Sequence, residues 1–225
     1  MQNFLNTKRG RWVTWLTLVV MVLAGLGIWK YVDNLRNEEI IHAQVTAPAT
    51  HHESAATLKQ TPIHQFTDHE LVHYRKQAYR QKLDQNPNGY LTIPSIGVKL
   101  PIYNRANNLT LSLGVGKDYY LDSQMGQGNF VLAGHNMERR GVLLSDLNRV
   151  KVGERITLQG PDGYQFNYHI TQKHVVSPYV KFVDGQAVAG SAYYLPKAGE
   201  KPLVTVYTCA DHGRTRLVVQ GELDE

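Results

Sequence analysis

The fold is decided by the stretch VTVYTCADHGRTRLVV, residues 204–219, which reads as two β-strands joined by a polar turn. The first strand is rich in β-branched residues and ends at Cys209, where the loop ADHGRT begins. An antiparallel hairpin returns Arg216 close to Cys209 on the second strand. Side chains alternate along a strand, so Tyr207 shares the face of Cys209 and Thr208 points to the opposite face.

Cys209 is the only cysteine in the 225 residues. A lone cysteine in an exported protein forms an intermolecular link or serves as a reactive group, because disulfides need pairs. The alternative is a buried, inert cysteine, which is common in cytosolic proteins. Positive charge nearby favours the thiolate, which is the nucleophilic form, and Arg216 would supply that charge.

An apolar segment near the N-terminus indicates export. Residues 12–29 carry no charge, which suits a tilted membrane helix, and tryptophans stand near both ends. Lys8, Arg9 and Arg11 precede it and supply three charges to a net charge of +5. The positive-inside rule therefore predicts a cytoplasmic tail (1–11), a single membrane anchor (12–32) and an extracellular remainder. The alternative is a cleaved signal peptide. The remaining charge forms no basic cluster, so we expect no nucleic-acid partner.

The rest of the chain divides by composition. Residues 33–85 are polar and contain linker-like sequence and one predicted helix, and they are interpreted as an extracellular stalk. From residue 86 to 225 the sequence holds many short strands with frequent Gly, Pro and Asp turns and little helix. This texture predicts a mainly β fold, a closed antiparallel barrel of about eight strands with short helices.

The sequence HELVH, residues 69–73, matches the zinc-protease pattern H-E-x-x-H. On a helix, His69 and His73 would share one face for zinc, with Glu70 as the base. No third ligand follows at the spacing such sites need, and the surrounding sequence is polar. A zinc protease is therefore kept only as a minor alternative, and a solvated helix is favoured.

Nucleophilic catalysis by Cys209 also needs a proton-transfer group. His135 ends the strand-like run FVLAGH at a strand-to-loop junction, where active-site residues often lie. His212 lies at the tip of the hairpin loop, and His169 and His174 fall in or near a predicted strand as ordinary structural or surface residues.

Three separated motifs resemble the sortase family, most closely its class A. They are TIPSIGVKLPIY (92–103), MGQGNFVLAGHNM (125–137) and TVYTC followed by RLVVQGEL. The resemblance covers about residues 86–225. It places the family's T-x-x-T-C signature on Cys209, the family's histidine on His135, and its arginine on Arg216 rather than Arg214.

The resemblance implies a sortase-like barrel and a membrane-anchored cysteine transpeptidase. Such an enzyme cleaves an LPxTG-like motif of surface proteins after Thr through a thioacyl intermediate on Cys209. It then transfers the protein to an amino group of a peptidoglycan precursor such as lipid II. His135 would act as general acid and base, and Arg216 would stabilise the oxyanion.

The resemblance also implies a site for the sorting motif, with Ala133, Tyr207 and Thr208 as its expected substrate-binding residues. Tyr207 departs from the aliphatic residue usual in the family and would narrow or reshape the pocket. Some members bind calcium through acidic residues, but Asp118 and Asp122 are the only ones between positions 98 and 130. We therefore expect no calcium requirement, no metal and no cofactor. The non-enzyme alternative is a catalytically silent anchored barrel that binds wall components.

Overall fold

A long apolar helix forms the N-terminal unit of the protein. The computed structural model describes residues 8–51 and 59–224 and divides the chain into two compact units, Met1–Ile41 and His42–Glu225. Helix α1 spans Lys8–His42. Its segment Arg11–His42 is long enough to cross a membrane, with a mean hydropathy of 2.0 in its apolar window. An N-terminal apolar helix of this kind fits either an anchor or a signal sequence.

The second unit is built around a closed barrel of eight strands, in the order β1-β2-β3-β4-β9-β10-β6-β5. A separate two-stranded hairpin, β7 and β8, lies in the connection between β6 and β9. The strands are β1 Gly89–Ile93, β2 Val98–Tyr103, β3 Val115–Lys117, β4 Asn129–Gly134, β5 Arg155–Gln159, β6 Gln165–Val176, β7 Phe182–Val183, β8 Gln186–Ala187, β9 Leu203–Ala210 and β10 Thr215–Leu223.

The predicted barrel class is confirmed, but the barrel is mixed rather than purely antiparallel. Strand β2 pairs with β3 in parallel, and β4 pairs with β9 in parallel; the other barrel neighbours are antiparallel. Alternation of side chains has the same period in both kinds of pairing, so the sequence pattern did not distinguish them. Parallel neighbours need a long crossover, and here residues 135–202 connect β4 to β9.

The barrel interior is filled by the aliphatic residues of alternating positions. Val204 and Val206 of β9 and Leu217 and Val219 of β10 all belong to the buried core cluster. Val204 and Val206 share the face of Thr208, opposite the face of Cys209. The opposite faces of the same strands point outward, where Tyr207 and Arg216 are only partly buried. The side chains of Tyr207 and Arg216 therefore lie on the outer face of the barrel, with the packed core behind them.

Within residues 59–224, two α-helices accompany the barrel. Helix α2 (Asp68–Arg80) begins with a capping box in which Thr67 and Glu70 satisfy each other's backbone N–H groups. Helix α3 (Asn108–Leu113) is capped in the same way by Asn107. Helix α2 contacts α3 and buries an apolar face that includes Leu71 and Ala78.

The second unit also includes most of the segment interpreted as a stalk. The guanidinium of Arg75 is buried and donates hydrogen bonds to the carbonyls of Ser112, at 2.6 Å, and Ala43, at 2.9 Å. The unit begins at His42, so the described residues from there to position 85 pack together with the barrel. The predicted divisions at positions 11, 32 and 85 concern function, and they stay predictions.

Candidate active site

The cysteine and the arginine lie side by side on the β9–β10 hairpin. Cys209 is directly paired with Arg216 across the two antiparallel strands. Cys209 is a free thiol and is partly buried. Arg216 donates from Nη1 to the carbonyls of Gly213, at 2.9 Å, and Thr215, at 3.0 Å. These bonds hold one terminal nitrogen of a group that has five N–H donors against the carbonyls of the turn.

The neighbouring arginine of the same turn is arranged differently. Arg214 is exposed and pairs with Asp211 at 2.5 Å, three residues earlier in the loop. Asp211, His212 and Gly213 all adopt positive φ, which makes the turn tight. Arg214 therefore points to solvent from the turn.

His135 immediately follows β4, the parallel neighbour of β9. The last paired residues are Gly134 and Thr208, and the Thr208 hydroxyl donates to the Gly134 carbonyl at 2.8 Å. Continuing that register by one residue places His135 opposite Cys209 on strands about 4.8 Å apart. The side-chain amide of Asn136 also donates to the Cys209 carbonyl, at 3.2 Å. The three candidate catalytic residues thus meet at one end of the adjacent strands β4, β9 and β10.

The imidazole of His135 is covered by Phe66. The two ring centroids lie 3.9 Å apart, and Phe66 also stacks on Tyr74 at 4.9 Å. His135 is 1% exposed and its Nε2 has no hydrogen-bond partner. Burial lowers the pKa of His135 from 6.5 to about 4, with a smaller contribution from the positive charge of His64. The ring is therefore neutral at pH 7 in this conformation.

A contact between charged side chains fixes the segment that carries Phe66. Asp68 pairs with Arg139, which follows His135 in the loop after β4, at 2.9 Å. The same loop carries Glu138, which pairs with His212 of the hairpin turn at 3.1 Å. The first residue of α2, two residues after Phe66, is thus linked to the loop that follows His135.

A groove of about 620 Å³ lies beside the hairpin on the outer face of the barrel. Tyr207 and Arg216 line it from the hairpin, His174 lines it from β6, and residues 177–181 and 188–193 complete it. Cys209 and His135 are not among its lining residues, but Arg216, which is paired with Cys209, is.

The predicted substrate-binding residues occupy different environments. Tyr207 lines the groove, and its ring packs against Ala133, which is itself buried beside it. Thr208 is buried on the inner face and bonded to Gly134, so its side chain braces β9 against β4. Of the three residues, Tyr207 therefore lines the groove, Ala133 lies buried beneath the groove wall, and Thr208 links β9 to β4.

Three residues with a part in this site were missed from the sequence. Phe66 lies in the segment interpreted as a stalk, and neither it nor Tyr193 was singled out. Asp118 was considered only as a calcium ligand, yet its Oδ2 accepts hydrogen bonds from Tyr207 at 2.5 Å and Tyr193 at 2.7 Å. The sequence around Asp118 gave no indication of these hydrogen bonds, because Tyr207 and Tyr193 come from distant segments of the chain.

The H-E-x-x-H residues form a helix start rather than a metal site. His69 and His73 are exposed, and the Glu70 carboxylate accepts from the backbone N–H of Thr67 at 2.8 Å. That hydrogen bond, together with one from His64, lowers the pKa of Glu70 to about 2. Within residues 8–51 and 59–224, no group of three His, Cys, Asp or Glu side chains is placed to hold a metal ion.

A closed eight-stranded barrel with a cysteine and an arginine paired on its last hairpin defines a class of cysteine transpeptidases. The model of the sortase domain matches residues 91–224, and the chain belongs to the sortase family. Sortase A of Bacillus anthracis is 34% identical over 90 residues, which are 40% of this chain and 42% of that protein. The match thus spans less than half the length of this relative.

Solved sortase structures share the fold. Sortase A of Listeria monocytogenes superposes with a TM-score of 0.52 at 26% identity, covering 62% of this chain and 88% of that one. Sortase C-1 of Actinomyces oris gives 0.52 at 26% identity, covering 74% of this chain and 89% of that one. The structural likeness therefore extends over more than one sortase class.

Proposed function

We propose that this protein is a class A sortase that joins surface proteins carrying an LPxTG-like motif to a cell-wall precursor. The single observation that carries the proposal is the direct pairing of Cys209 with Arg216, next to the strand that ends at His135. The class A assignment is supported by the relatives named Sortase A. The N-terminal apolar helix supports it too, since it suits an enzyme that works at a membrane.

In the proposed first step the Cys209 thiol gives its proton to the neutral His135, and the resulting thiolate attacks the carbonyl carbon of the motif's Thr. The peptide C–N bond breaks, the leaving amine takes a proton from His135, and a thioester to Cys209 remains. The negative charge that develops on the carbonyl oxygen is stabilised by the fixed guanidinium of Arg216. Cys209 and Arg216 face the same side of the hairpin, as this geometry requires.

In the proposed second step an amino group of the acceptor attacks the thioester. His135 accepts a proton from the attacking amine, the new amide forms, and the thiolate is released. The acceptor would be a peptidoglycan precursor such as lipid II, which is delivered at the membrane surface. Both steps need His135 to be reachable, whereas Phe66 covers it in the described conformation. We infer that the contact between Phe66 and His135 opens during turnover.

We further propose that α1 anchors the protein in the cell membrane with its N-terminus in the cytoplasm. Lys8, Arg9 and Arg11 precede the apolar segment and support this orientation. The second unit would then lie outside the cell, where its single thiol has no cysteine in the chain to pair with.

The test is mass spectrometry of the full chain in detergent micelles with a library of LPxTG-like peptides. We expect cleavage after Thr and a covalent acyl adduct on Cys209 that an added amine removes. Cys209→Ala abolishes both, and His135→Ala abolishes turnover. Arg216→Ala should lower turnover at least about 100-fold, because an oxyanion donor is lost.

The chain offers a matched control for the arginine. Arg214→Ala removes the same charge from the same turn, but Arg214 faces solvent, so turnover should stay within about twofold. Turnover that persists in Cys209→Ala would refute the mechanism. An alkylation-resistant Cys209 with no adduct for any peptide would favour the silent wall-binding barrel.

A further inference from the structure

Asp118 lies where three separate parts of the second unit meet. It directly follows β3, and its backbone N–H donates to the Val131 carbonyl of β4 at 3.0 Å. Its Oδ2 accepts from the hydroxyls of Tyr207 on β9 and Tyr193 in the connection to β9. One carboxylate oxygen, held by its own backbone, therefore joins the barrel wall to the connection that borders the groove.

The ring of Tyr193 is fixed on several sides. Tyr119, next to Asp118, stacks on it with centroids 4.3 Å apart and planes 10° from parallel. Tyr119 has a positive φ of 65°, a backbone conformation that costs energy for a large side chain. The Tyr120 hydroxyl donates to the Tyr193 carbonyl at 2.9 Å. The short loop after β3 thus contacts the ring, the backbone carbonyl and the hydroxyl of Tyr193.

The connection around Tyr193 is also anchored from the barrel. Asn129 donates to the carbonyls of Ala192, at 3.1 Å, and Tyr194, at 2.8 Å, and Gln220 donates to the Ser191 carbonyl at 3.1 Å. Farther out on the same connection the side chains stand in solvent, and Tyr179 is 87% exposed. The contacts thus hold the inner part of the connection while its outer part remains exposed.

The position of Tyr207 sets what this arrangement does to a peptide. Tyr207 precedes Cys209 by two residues on the same face, about 7 Å along the strand. An extended peptide joined to Cys209 by its last residue would place the residues before that one over the Tyr207 ring. Both tyrosine hydroxyls are turned to Asp118, so the rings present mainly hydrocarbon to the groove.

We propose that Asp118 is a positioning residue that fixes Tyr207 and Tyr193 as an apolar floor and wall for the residues preceding the scissile bond. The inference deepens the proposed function and rests on it. With both rings held, the groove presents an apolar surface of fixed position to those residues. Without the carboxylate, both rings gain rotational freedom and the inner part of the connection loses a fixed point.

The test compares Asp118→Ala and Tyr193→Phe with the wild type, as full chains in detergent micelles. We expect Asp118→Ala to raise the KM for an LPxTG-like peptide about tenfold, as for loss of a hydrogen bond to a charged group, with kcat within about twofold. Its preference for that peptide over one with alanine for proline should fall by a similar factor. Tyr193→Phe removes one hydroxyl and should show a smaller change in the same direction, which covers the case that Asp118→Ala fails to fold.

Two further measurements keep the inference separate from the proposed function. Asp122→Asn is the matched control, because Asp122 is an exposed carboxylate of the same loop, and it should leave KM unchanged. Tryptic cleavage after Lys197, four residues beyond Tyr193 in the connection, needs no substrate and should be faster in Asp118→Ala. If the wild type turns over no peptide, the proposed function fails, and cleavage alone then decides whether Asp118 fixes the connection. An unchanged KM in an active Asp118→Ala, or an unchanged cleavage rate, overturns the inference.

Discussion

Removal of the Phe66 ring should change the protonation of His135. Phe66 is 5% exposed and lies 3.9 Å from the imidazole, ring centre to ring centre. Burial, the largest cause, lowers the pKa of His135 from 6.5 to about 4. That difference corresponds to about 3 kcal/mol in favour of the neutral ring. Phe66→Ala would admit water to the imidazole, so we expect its pKa to rise toward 6.5.

The same shift makes stability depend on pH. In the folded protein His135 has a pKa below its unfolded value, so the unfolded chain binds more protons between pH 6.5 and about 4. This contribution to stability is fully present above pH 6.5 and is lost as the pH falls toward 4. In Phe66→Ala the two pKa values lie closer together, so the loss across this window becomes smaller. Truncation of a buried phenyl ring also costs about 3 kcal/mol at all pH values.

The assay is a pH titration of histidine labelled with carbon-13 at Cε1, followed by NMR on the full chain. His135→Gln identifies the resonance among the ten histidines. Phe182→Ala is the matched control, because Phe182 is 42% exposed and its ring packs near Tyr119 rather than His135. If His135 titrates at the same pH in Phe66→Ala as in the wild type, Phe66 does not exclude water from it. A wild-type value near 6.5 would refute the reasoning from burial.

Four further outcomes test the hairpin, the barrel and the metal expectation. Arg216→Lys keeps the charge but loses the planar donor fork, so we expect turnover to fall about tenfold or more while thiol alkylation of Cys209 persists. Gly134→Ala should lower stability by about 1–3 kcal/mol in urea unfolding, because the added Cβ would lie 2.5 Å from Cδ1 of Leu144. Thr208→Val removes the bond to the Gly134 carbonyl and should cost about 1 kcal/mol in the same assay; no loss would show that the bond does not brace β9. Turnover should be insensitive to EDTA, and a loss restored by calcium would contradict that expectation.

The hairpin was predictable because its information is local. The hairpin in residues 204–219 predicted that Arg216 lies close to Cys209, and alternation predicted that Thr208 points to the opposite face; the structure has both arrangements. The parallel pairing of β4 with β9 was not predictable, because alternation is the same in either direction. The catalytic roles of Cys209, His135 and Arg216 rest on the family resemblance and stay predictions.

The environment of the site depended on contacts between distant segments. Phe66 reaches His135 from before α2, and Asp118 reaches Tyr207 across 89 residues of chain. Neither contact has a period or a motif, since each depends on how the packed elements lie in space. The polar composition of residues 33–85 indicated a stalk, yet an apolar face of α2 is buried. The helix in this segment was predicted, but composition did not show that its apolar face packs within the second unit.

The parallel pairing of β4 with β9 also affects how the protein folds. Gly134 and Thr208 are 74 residues apart, so closing that loop costs about 4 kcal/mol of chain entropy before any contact offsets it. High contact order of this kind slows folding, and the thiol stays accessible to oxidants during the search. With one cysteine in the sequence, no wrong intrachain disulfide can trap the slow intermediates. We therefore expect the refolding yield at low protein concentration to be the same with and without a reducing agent.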